Sequence, residues 1–172
     1  MSVQDEAAGG RWMPLSPEYL DNLIDAPERI AELVRAMRRI AVLGIKTERQ
    51  ADQPAYYVPR YLAEAGFDIV PVPVYYPEVT SILGRPVYRT LSDVPGPVDI
   101  VNVFRRRGDL PPHLDDILTA RPAAVWFQSG IRHDGVAGTL ARAGIRVVQD
   151  RCLMVEHRRL MGLPVRDRRR EA

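Results

Sequence analysis

The sequence predicts an α/β fold: a doubly wound, mainly parallel sheet of five or six strands, with extra helices before the first strand. Five apolar runs of strand length recur along the 172 residues, and helical patterns separate them. The runs are nearly continuous rather than alternating, which is typical of strands that helices cover on both faces. Strand and helix in this rhythm imply right-handed crossovers and an open sheet.

The elements follow in chain order. One short helix is expected to begin at Ser16-Pro17 and another at Asp25-Ala26-Pro27. The strands are predicted at Ile40–Leu43, Ile69–Val72, Val98–Val103, Ala123–Phe127 and Ile145–Val148. Pro86–Tyr88 is predicted to be a short edge strand, because a proline is tolerated where no ladder donor is needed.

Apolar stripes at helical spacing predict the connecting helices, and glycines or prolines predict their ends. One stripe runs through Val58, Tyr61, Leu62 and Ala65 and stops at Gly66. A second contains Leu114, Ile117 and Leu118, with Pro111 and Pro112 in the first turn and Asp109 as the N-cap. A third contains Val136, Leu140 and Ala143, and Gly144 is placed to end it in the left-handed conformation.

Composition and charge narrow the class of protein. The net charge is +2, which gives no strong attraction to nucleic acid, and no apolar stretch approaches the roughly 20 residues that span a bilayer. The single cysteine and the lack of a secretory signal lead us to expect a cytoplasmic protein. We expect a helical extension at 1–38, one domain at 39–163 and a flexible basic tail at 164–172.

Ligands of doubly wound sheets lie beyond the carboxyl ends of the strands, where the chain order reverses. Gly44 follows the first strand, and its backbone together with the next helix start is suited to a phosphate. Arg105 and Arg106 follow the third long run and could bind phosphate oxygens, and Phe104 could cover a flat ring. The alternatives are that Gly44 serves only the turn, that the arginines are solvated, and that Phe104 is core.

Two common cofactors are disfavoured. A dinucleotide fingerprint needs further glycines and an acidic residue after the second strand, but no glycine occurs between Gly44 and Gly66, and the second strand ends in PVPVYY. The chain also has no glycine-lysine-serine or glycine-lysine-threonine loop. The sequence therefore argues against NAD and against ATP hydrolysis.

Six stretches carry a resemblance to a known family: IAVLGI, PAYYVPRYLAEAGFDIVPV, ILGRPVY, LSDVPGPVDIVNVFRR, AVWFQSGI and AGIRVVQDRCLMVEH. In this order they extend from Arg39 to Leu160. The sequence resembles the small bacterial CoA-binding proteins (the YccU-like, CoA_binding_2 family), whose Rossmann-type domain is akin to that of the succinyl-CoA synthetase alpha chain. The resemblance implies one domain that binds coenzyme A or an acyl-CoA without established catalytic activity.

The resemblance also implies a set of cofactor-binding positions. The turn after the first strand would meet the pyrophosphate, the end of the third long run would line the nucleotide side, and the end of the fourth would close the other wall. Charge alone selects Arg105 or Arg106 for the 3′-phosphate. The full set is Gly44, Ile45, Lys46, Tyr57, Val72, Pro73, Val103, Phe104, Arg105, Arg106, Gln128, Ser129, Gly130 and Ile131.

Two positions depart from the family pattern. The family often has Val-Asn-Pro where this chain has Val72-Pro73-Val74, and Pro73 offers neither an amide side chain nor a backbone donor. The loop after Gly44 is longer than in many members. Lys46 in that loop is either a phosphate contact or an exposed polar residue.

The stretch DRCLMVEH raises a catalytic alternative. Cys152 and His157 lie in a predicted terminal helix with Asp150 as its N-cap, but they are five positions apart, so they do not share a face well. We expect His157 to pack or hydrogen-bond at an interface, Cys152 to be structural, and no catalytic or metal-binding residues. His133 is expected at a helix start, either near a phosphate or in a solvated turn.

Three functions follow. The first is a non-catalytic CoA-binding module. The second is a CoA-dependent enzyme or subunit whose partner supplies the chemistry, and the third is a redox-responsive protein in which Cys152 forms a mixed disulfide with the CoA thiol. An exposed apolar face on the first helices or on the edge strand would allow a homodimer.

Overall fold

A computed structural model describes residues 17–165, which form a five-stranded parallel sheet with helices on both faces. The strands are β1 (Arg39–Leu43), β2 (Asp68–Val72), β3 (Ser81–Ile82), β4 (Arg85–Pro86), β5 (Ile100–Val103), β6 (Ala124–Phe127) and β7 (Arg146–Val148). The helices are α1 (Pro27–Ala36), α2 (Pro54–Glu64), α3 (Leu114–Ala120), α4 (Asp134–Arg142) and α5 (Leu153–Leu160). Short 3₁₀ turns cover Pro17–Asn22, Glu48–Gln50, Arg107–Asp109 and Pro111–His113.

The main sheet has the strand order β2-β1-β5-β6-β7, and each neighbouring pair is parallel. This confirms the predicted doubly wound, Rossmann-like fold class. All five predicted strands are present, with ends shifted by one or two residues. The chain leaves β1 toward β2 on one side and returns to β5 on the other, so the order reverses between β1 and β5.

Two apolar layers hold the sheet. On one face, Ile40 and Val42 of β1 pack with side chains from α1, α2 and α5, including Leu33, Leu62 and Leu153. On the other face, Ala41 and Leu43 pack with side chains from α3 and α4. Successive residues of a buried strand therefore face opposite layers, which is why the strand sequences read as continuous apolar runs.

The segment before β1 is joined to the far edge of the sheet. Leu23 forms a parallel bridge with Val147, and Ile24 N–H donates to the Val147 carbonyl at 2.8 Å. The Asn22 side chain donates to the Ala141 carbonyl at 2.9 Å. The 3₁₀ turn begins at Pro17, and Ser16 lies outside the described residues, as does most of the predicted basic tail. The division of the chain at 38 and 163 stays a prediction.

The predicted edge strand at Pro86–Tyr88 is present only in part, as β4 at Arg85–Pro86, and it lies in a hairpin separate from the main sheet. Leu83 and Gly84 both have positive φ, 54° and 69°, so they form a two-residue turn of the kind that joins hairpin strands. The turn pairs β3 with β4 in a separate antiparallel hairpin. Tyr88 N–H still donates to the Pro71 carbonyl at 3.0 Å, so the chain after the hairpin runs beside β2.

Two predicted helix caps are also wrong. Asp109 ends a 3₁₀ turn and its carboxylate lies 3.1 Å from Arg106 Nε, while His113 precedes α3. Asp150 has φ of 54°, and its carboxylate accepts from Gly130 N–H at 2.6 Å instead of capping α5. In both cases a charged partner or a turn amide lies closer than the helix start. Gly66 and Gly144 have φ of 99° and 84° and follow α2 and α4, as predicted.

Candidate functional site

Gly44 is located at the reversal point, directly after β1. Its N–H donates to the Val72 carbonyl at 2.9 Å, and Phe104 N–H donates to the Leu43 carbonyl at 2.9 Å, so the ends of three strands are tied together. Gly44 has φ of +84°, and a Cβ added to it would stand 2.4 Å from the Phe104 carbonyl oxygen. The turn and the close approach of the β5 end therefore both require glycine here.

The loop after Gly44 folds back onto the start of α2. Lys46 N–H donates to the Ala55 carbonyl at 3.1 Å, which brings the half-buried Lys46 beside the first turn of the helix. Thr47 is buried, and its N–H and hydroxyl lie 3.2 and 2.8 Å from Gln50 Oε1. Ile45 is buried in the core. The loop is thus held by its own contacts, and its backbone bond to Ala55 places Lys46 beside the start of α2.

Arg105 and Arg106 have different surroundings although they are adjacent in sequence. The Arg105 side chain is 13% exposed, its Cδ would lie 3.0 Å from a Cβ on Gly44, and its Nη2 lies 3.7 Å from Asp109 Oδ2. The buried Arg105 Nε has no hydrogen-bond partner among the described residues. The Arg106 side chain is 87% exposed and pairs with Asp109 at the surface. Arg105 is therefore the cation at the reversal point.

Phe104 and Tyr75 are two aromatic residues beside Arg105, one next to it in the chain and one close to its guanidinium. Phe104 is half-buried and packs against the core layer of α1, α2 and α5. Tyr75, in the loop after β2, is 53% exposed, and the Arg105 guanidinium carbon lies 5.4 Å from the centre of its ring. Tyr75 was not among the predicted site residues, although the pair of tyrosines after the second strand was a visible signal.

The turn after β6 lies at the same edge of the sheet as the end of β5, because the two strands are parallel neighbours. Gln128 is buried; its Nε2 donates to Cys152 Sγ at 3.2 Å, and its Oε1 accepts from Leu153 N–H at 3.1 Å. Gly130 donates to Asp150, and Ile131 donates to the Gln128 carbonyl at 2.9 Å. Ser129 and Gly130 are exposed. Gln128 thus fixes α5 to the sheet, and Ser129 and Gly130 are the parts of the turn open to a ligand.

The other predicted site residues offer backbone more than side chain. Val72, Pro73 and Val103 are buried, so their side chains belong to the core. Tyr57 is half-buried and packs against the layer of α1, α2 and α5. The ends of β1 and β5 meet at the reversal point, while Tyr57 lies in α2 to one side of it.

Asn102 in β5 is a polar residue that the sequence analysis did not single out. It is 0% exposed, and neither its Oδ1 nor its Nδ2 has a partner among the described residues. Its register neighbours are Val42 and Trp126, so the amide lies in an apolar layer. A buried amide without partners is costly, and an asparagine within an otherwise apolar strand was the available signal.

The terminal helix confirms the structural interpretation of His157. Tyr61 Oη lies 2.9 Å from His157 Nδ1, and the Phe67 ring meets the imidazole edge-on at 5.2 Å. Burial lowers the pKa of His157 below its ordinary value. Cys152 is the residue before α5 rather than part of it, and its sulfur contacts Gln128. His133 caps α4, with Nδ1 accepting from Val136 N–H at 3.1 Å.

His113 lies near the crevice arginine. Its pKa is lowered, first by burial and then by the positive charge of Arg105. Within residues 17–165, no group of three or more histidine, cysteine or acidic side chains is arranged to hold a metal ion.

A separate cleft of about 470 Å³ lies between the 3₁₀ turn at Pro17–Asn22 and α4. Tyr19, Asp25, Arg132 and Arg142 contribute to its walls. None of the predicted cofactor-binding residues lines this cleft. This cleft is therefore an alternative candidate ligand site to the reversal point.

Comparison with known proteins decides the family. A family model described as a CoA binding domain matches residues 38–158. The chain belongs to this CoA-binding domain family. It is 32% identical over 128 residues to YneT, an uncharacterized protein of Bacillus subtilis, a match that covers 74% of this chain and 91% of YneT.

Solved structures share the fold. A protein from Thermus thermophilus is 42% identical, with a TM-score of 0.72, over 79% of this chain and 99% of its own. A hypothetical protein from Pyrococcus horikoshii OT3 is 29% identical, with a TM-score of 0.72, over 80% and 94% of the two chains. No helix among residues 17–165 is both long and apolar enough to cross a membrane.

Proposed function

We propose that the protein binds coenzyme A or an acyl-CoA at the reversal point of its sheet, as a binding module without catalytic chemistry of its own. The position and shielding of the Arg105 side chain are the observation that supports this proposal most. Its Cδ lies beside Gly44, its buried Nε lacks a hydrogen-bond partner in residues 17–165, and the side chain is mostly shielded from solvent. A shielded guanidinium forms stronger bonds to phosphate than one in open water.

The surrounding groups fit the parts of CoA. Lys46 stands at the start of α2, where backbone N–H groups and a cation favour a phosphate. The exposed residues Ser129 and Gly130 are proposed to form the second wall, although the Gly130 N–H already donates to Asp150. Asp109 already lies 3.7 Å from Arg105, so a phosphate has to compete with that carboxylate for part of the guanidinium. The proposed contacts are Gly44, Lys46, Arg105 and the Ser129-Gly130 turn.

The strand ends also support CoA over NAD. The chain after β2 reads Val72-Pro73-Val74, which supplies no carboxylate for a ribose hydroxyl pair. The turn after β1 contains Gly44 alone, and that glycine is explained by the Phe104 carbonyl that fills the space beside it. This turn therefore lacks the further glycines with which a dinucleotide-binding loop holds a pyrophosphate.

The side-chain contacts favour a binding role over catalysis. Cys152 Sγ contacts Gln128, and His157 Nδ1 contacts Tyr61, so the thiol and the imidazole of the catalytic alternative each have a structural partner. No contact in residues 17–165 pairs the thiol with the imidazole. Cytoplasmic location, homodimer formation, a partner-dependent activity and a Cys152–CoA disulfide all stay predictions.

Isothermal calorimetry with CoA, acetyl-CoA, NAD and ATP tests the proposed function. The proposal predicts micromolar binding of CoA and acetyl-CoA and binding of NAD and ATP at least about tenfold weaker, a difference of 1.4 kcal/mol. Tighter binding of NAD or ATP, or no binding of CoA, would contradict it. A difference between CoA and acetyl-CoA would show whether the thiol end is enclosed.

A further inference from the structure

We propose that Tyr75 is the platform on which the adenine base of the ligand stacks, with Arg105 supporting the ring from the other side. This inference rests on the proposed function and names the group that recognises the nucleotide part of CoA. It assigns the base to the loop after β2 rather than to Phe104.

The strand order brings Tyr75 and Arg105 together. β2 and β5 flank β1, so the loop after β2 and the loop after β5 approach each other across the end of β1. The guanidinium carbon of Arg105 lies 5.4 Å from the centre of the Tyr75 ring. A Cβ on Gly44 would lie 3.0 Å from Arg105 Cδ. Because glycine has no side chain, Arg105 can pass close to the turn after β1. The pair therefore lies directly over the reversal point.

The loop that carries Tyr75 is held in place by backbone contacts. Arg89 donates to the carbonyls of Tyr75, Pro77 and Val79, at 3.3, 3.2 and 2.5 Å. Val79 N–H donates to the Tyr76 carbonyl at 3.0 Å, and Tyr76 has a positive φ of 64°. The Tyr76 ring meets the Tyr75 ring edge-on at 6.3 Å. These contacts fix the position of a tyrosine that is nevertheless 53% exposed.

An exposed ring with a cation on one face is suited to a flat base on the other face. Base–aromatic stacking contributes about 1–3 kcal/mol per base when measured by alanine substitution. A guanidinium close to the ring adds attraction and lies within reach of a phosphate attached to the same nucleoside. Phe104 is less suited because it already packs against the core layer of α1, α2 and α5.

The test compares two ligands on matched variants. CoA contains the adenine, and 4′-phosphopantetheine lacks the nucleotide but keeps the arm. For Tyr75→Leu, the inference predicts CoA binding weaker by about 5- to 150-fold, the range for a lost stacking contact, with 4′-phosphopantetheine binding unchanged. Tyr75→Phe keeps the ring and is predicted to retain CoA affinity within about twofold.

Tyr19 supplies the control, because its ring also carries an arginine, Arg142, at 4.6 Å, but lies in the separate cleft. Tyr19→Leu is predicted to leave both affinities unchanged. If Tyr75→Leu binds CoA as tightly as the wild type does, this inference is overturned. It is also overturned if the variant loses equal affinity for CoA and for 4′-phosphopantetheine. Both outcomes leave the proposed function standing. Absence of CoA binding by the wild type would overturn the proposed function, and this inference with it.

Discussion

The Arg105 side chain packs directly against Gly44. An added Cβ at Gly44 would lie 3.0 Å from Arg105 Cδ and 2.4 Å from the Phe104 carbonyl oxygen. The backbone carbonyl of Phe104 therefore requires glycine at position 44, and the absence of a side chain there also lets Arg105 pack against the turn.

Gly44→Ala is predicted to destabilise the fold by more than Gly66→Ala. Both glycines have positive φ, so each alanine incurs about 1–2 kcal/mol of left-handed strain. Gly66 has nothing within 4 Å of an added Cβ, whereas Gly44 meets the Phe104 carbonyl, which adds about 1–3 kcal/mol for overpacking. Urea unfolding of the two variants measures the difference. Equal free energies of unfolding would show that the contact with Phe104 relaxes freely.

Arg105→Met is predicted to weaken CoA binding by about 10- to 150-fold, the range for a lost hydrogen bond to a charged group. Methionine keeps the apolar stem that packs over Gly44 and removes the guanidinium. Arg106→Met is the matched control, since Arg106 shares the Asp109 partner but is 87% exposed. Its CoA affinity is predicted to stay within about twofold of wild type. Calorimetric titration of both variants decides the matter, and the reverse order of effects would assign the phosphate to Arg106.

Tyr61→Phe is predicted to lower the free energy of unfolding by about 0.5–2 kcal/mol, because it removes the hydroxyl that lies 2.9 Å from the buried His157 Nδ1. The cost is predicted to shrink in a His157→Phe background, where the hydroxyl has lost the same contact. A double-mutant cycle by chemical denaturation measures the coupling. Additive effects would mean that the contact contributes nothing to stability.

Stability is predicted to fall as the pH decreases below about 6.5, the ordinary histidine pKa. Burial lowers the pKa of both His113 and His157 in the folded protein. The unfolded chain then binds protons that the folded chain refuses, so acidification through this window favours unfolding. Thermal melts between about pH 5.5 and 7.5 test this, before most carboxylates titrate. Replacement of His157 by Phe is predicted to flatten the curve, and an unchanged slope would contradict the assignment.

Much of the fold could be predicted because buried parallel strands are continuous apolar runs with glycines and prolines between them. All five main strands and the helix ends at Gly66 and Gly144 follow from that pattern. The hairpin of β3 and β4 was not predicted, because its turn residues Leu83 and Gly84 were not recognised as a two-residue turn with positive φ. The predicted N-caps at Asp109 and Asp150 were wrong because these carboxylates have other partners, the Arg106 side chain and the Gly130 N–H.

The site was less predictable than the fold. The strand-end rule selected Gly44, Lys46 and Arg105 as candidate site residues, since it needs only the strand boundaries, and their role as ligand contacts stays a prediction. Sequence cannot rank Arg105 against Arg106, because their difference in exposure comes from packing across Gly44. Nor could it pair Tyr75 with Arg105, which are 30 positions apart and meet only through the strand order.

The most direct test of where CoA binds is a ¹H–¹⁵N correlation spectrum recorded during titration of the ¹⁵N-labelled protein with CoA. The proposed site predicts the largest amide shifts at Gly44, Lys46, Arg105 and Gly130, with little change at Arg132 and Gly138 in the separate cleft. Shifts confined to that cleft, or no shifts at millimolar CoA, would contradict the proposed site.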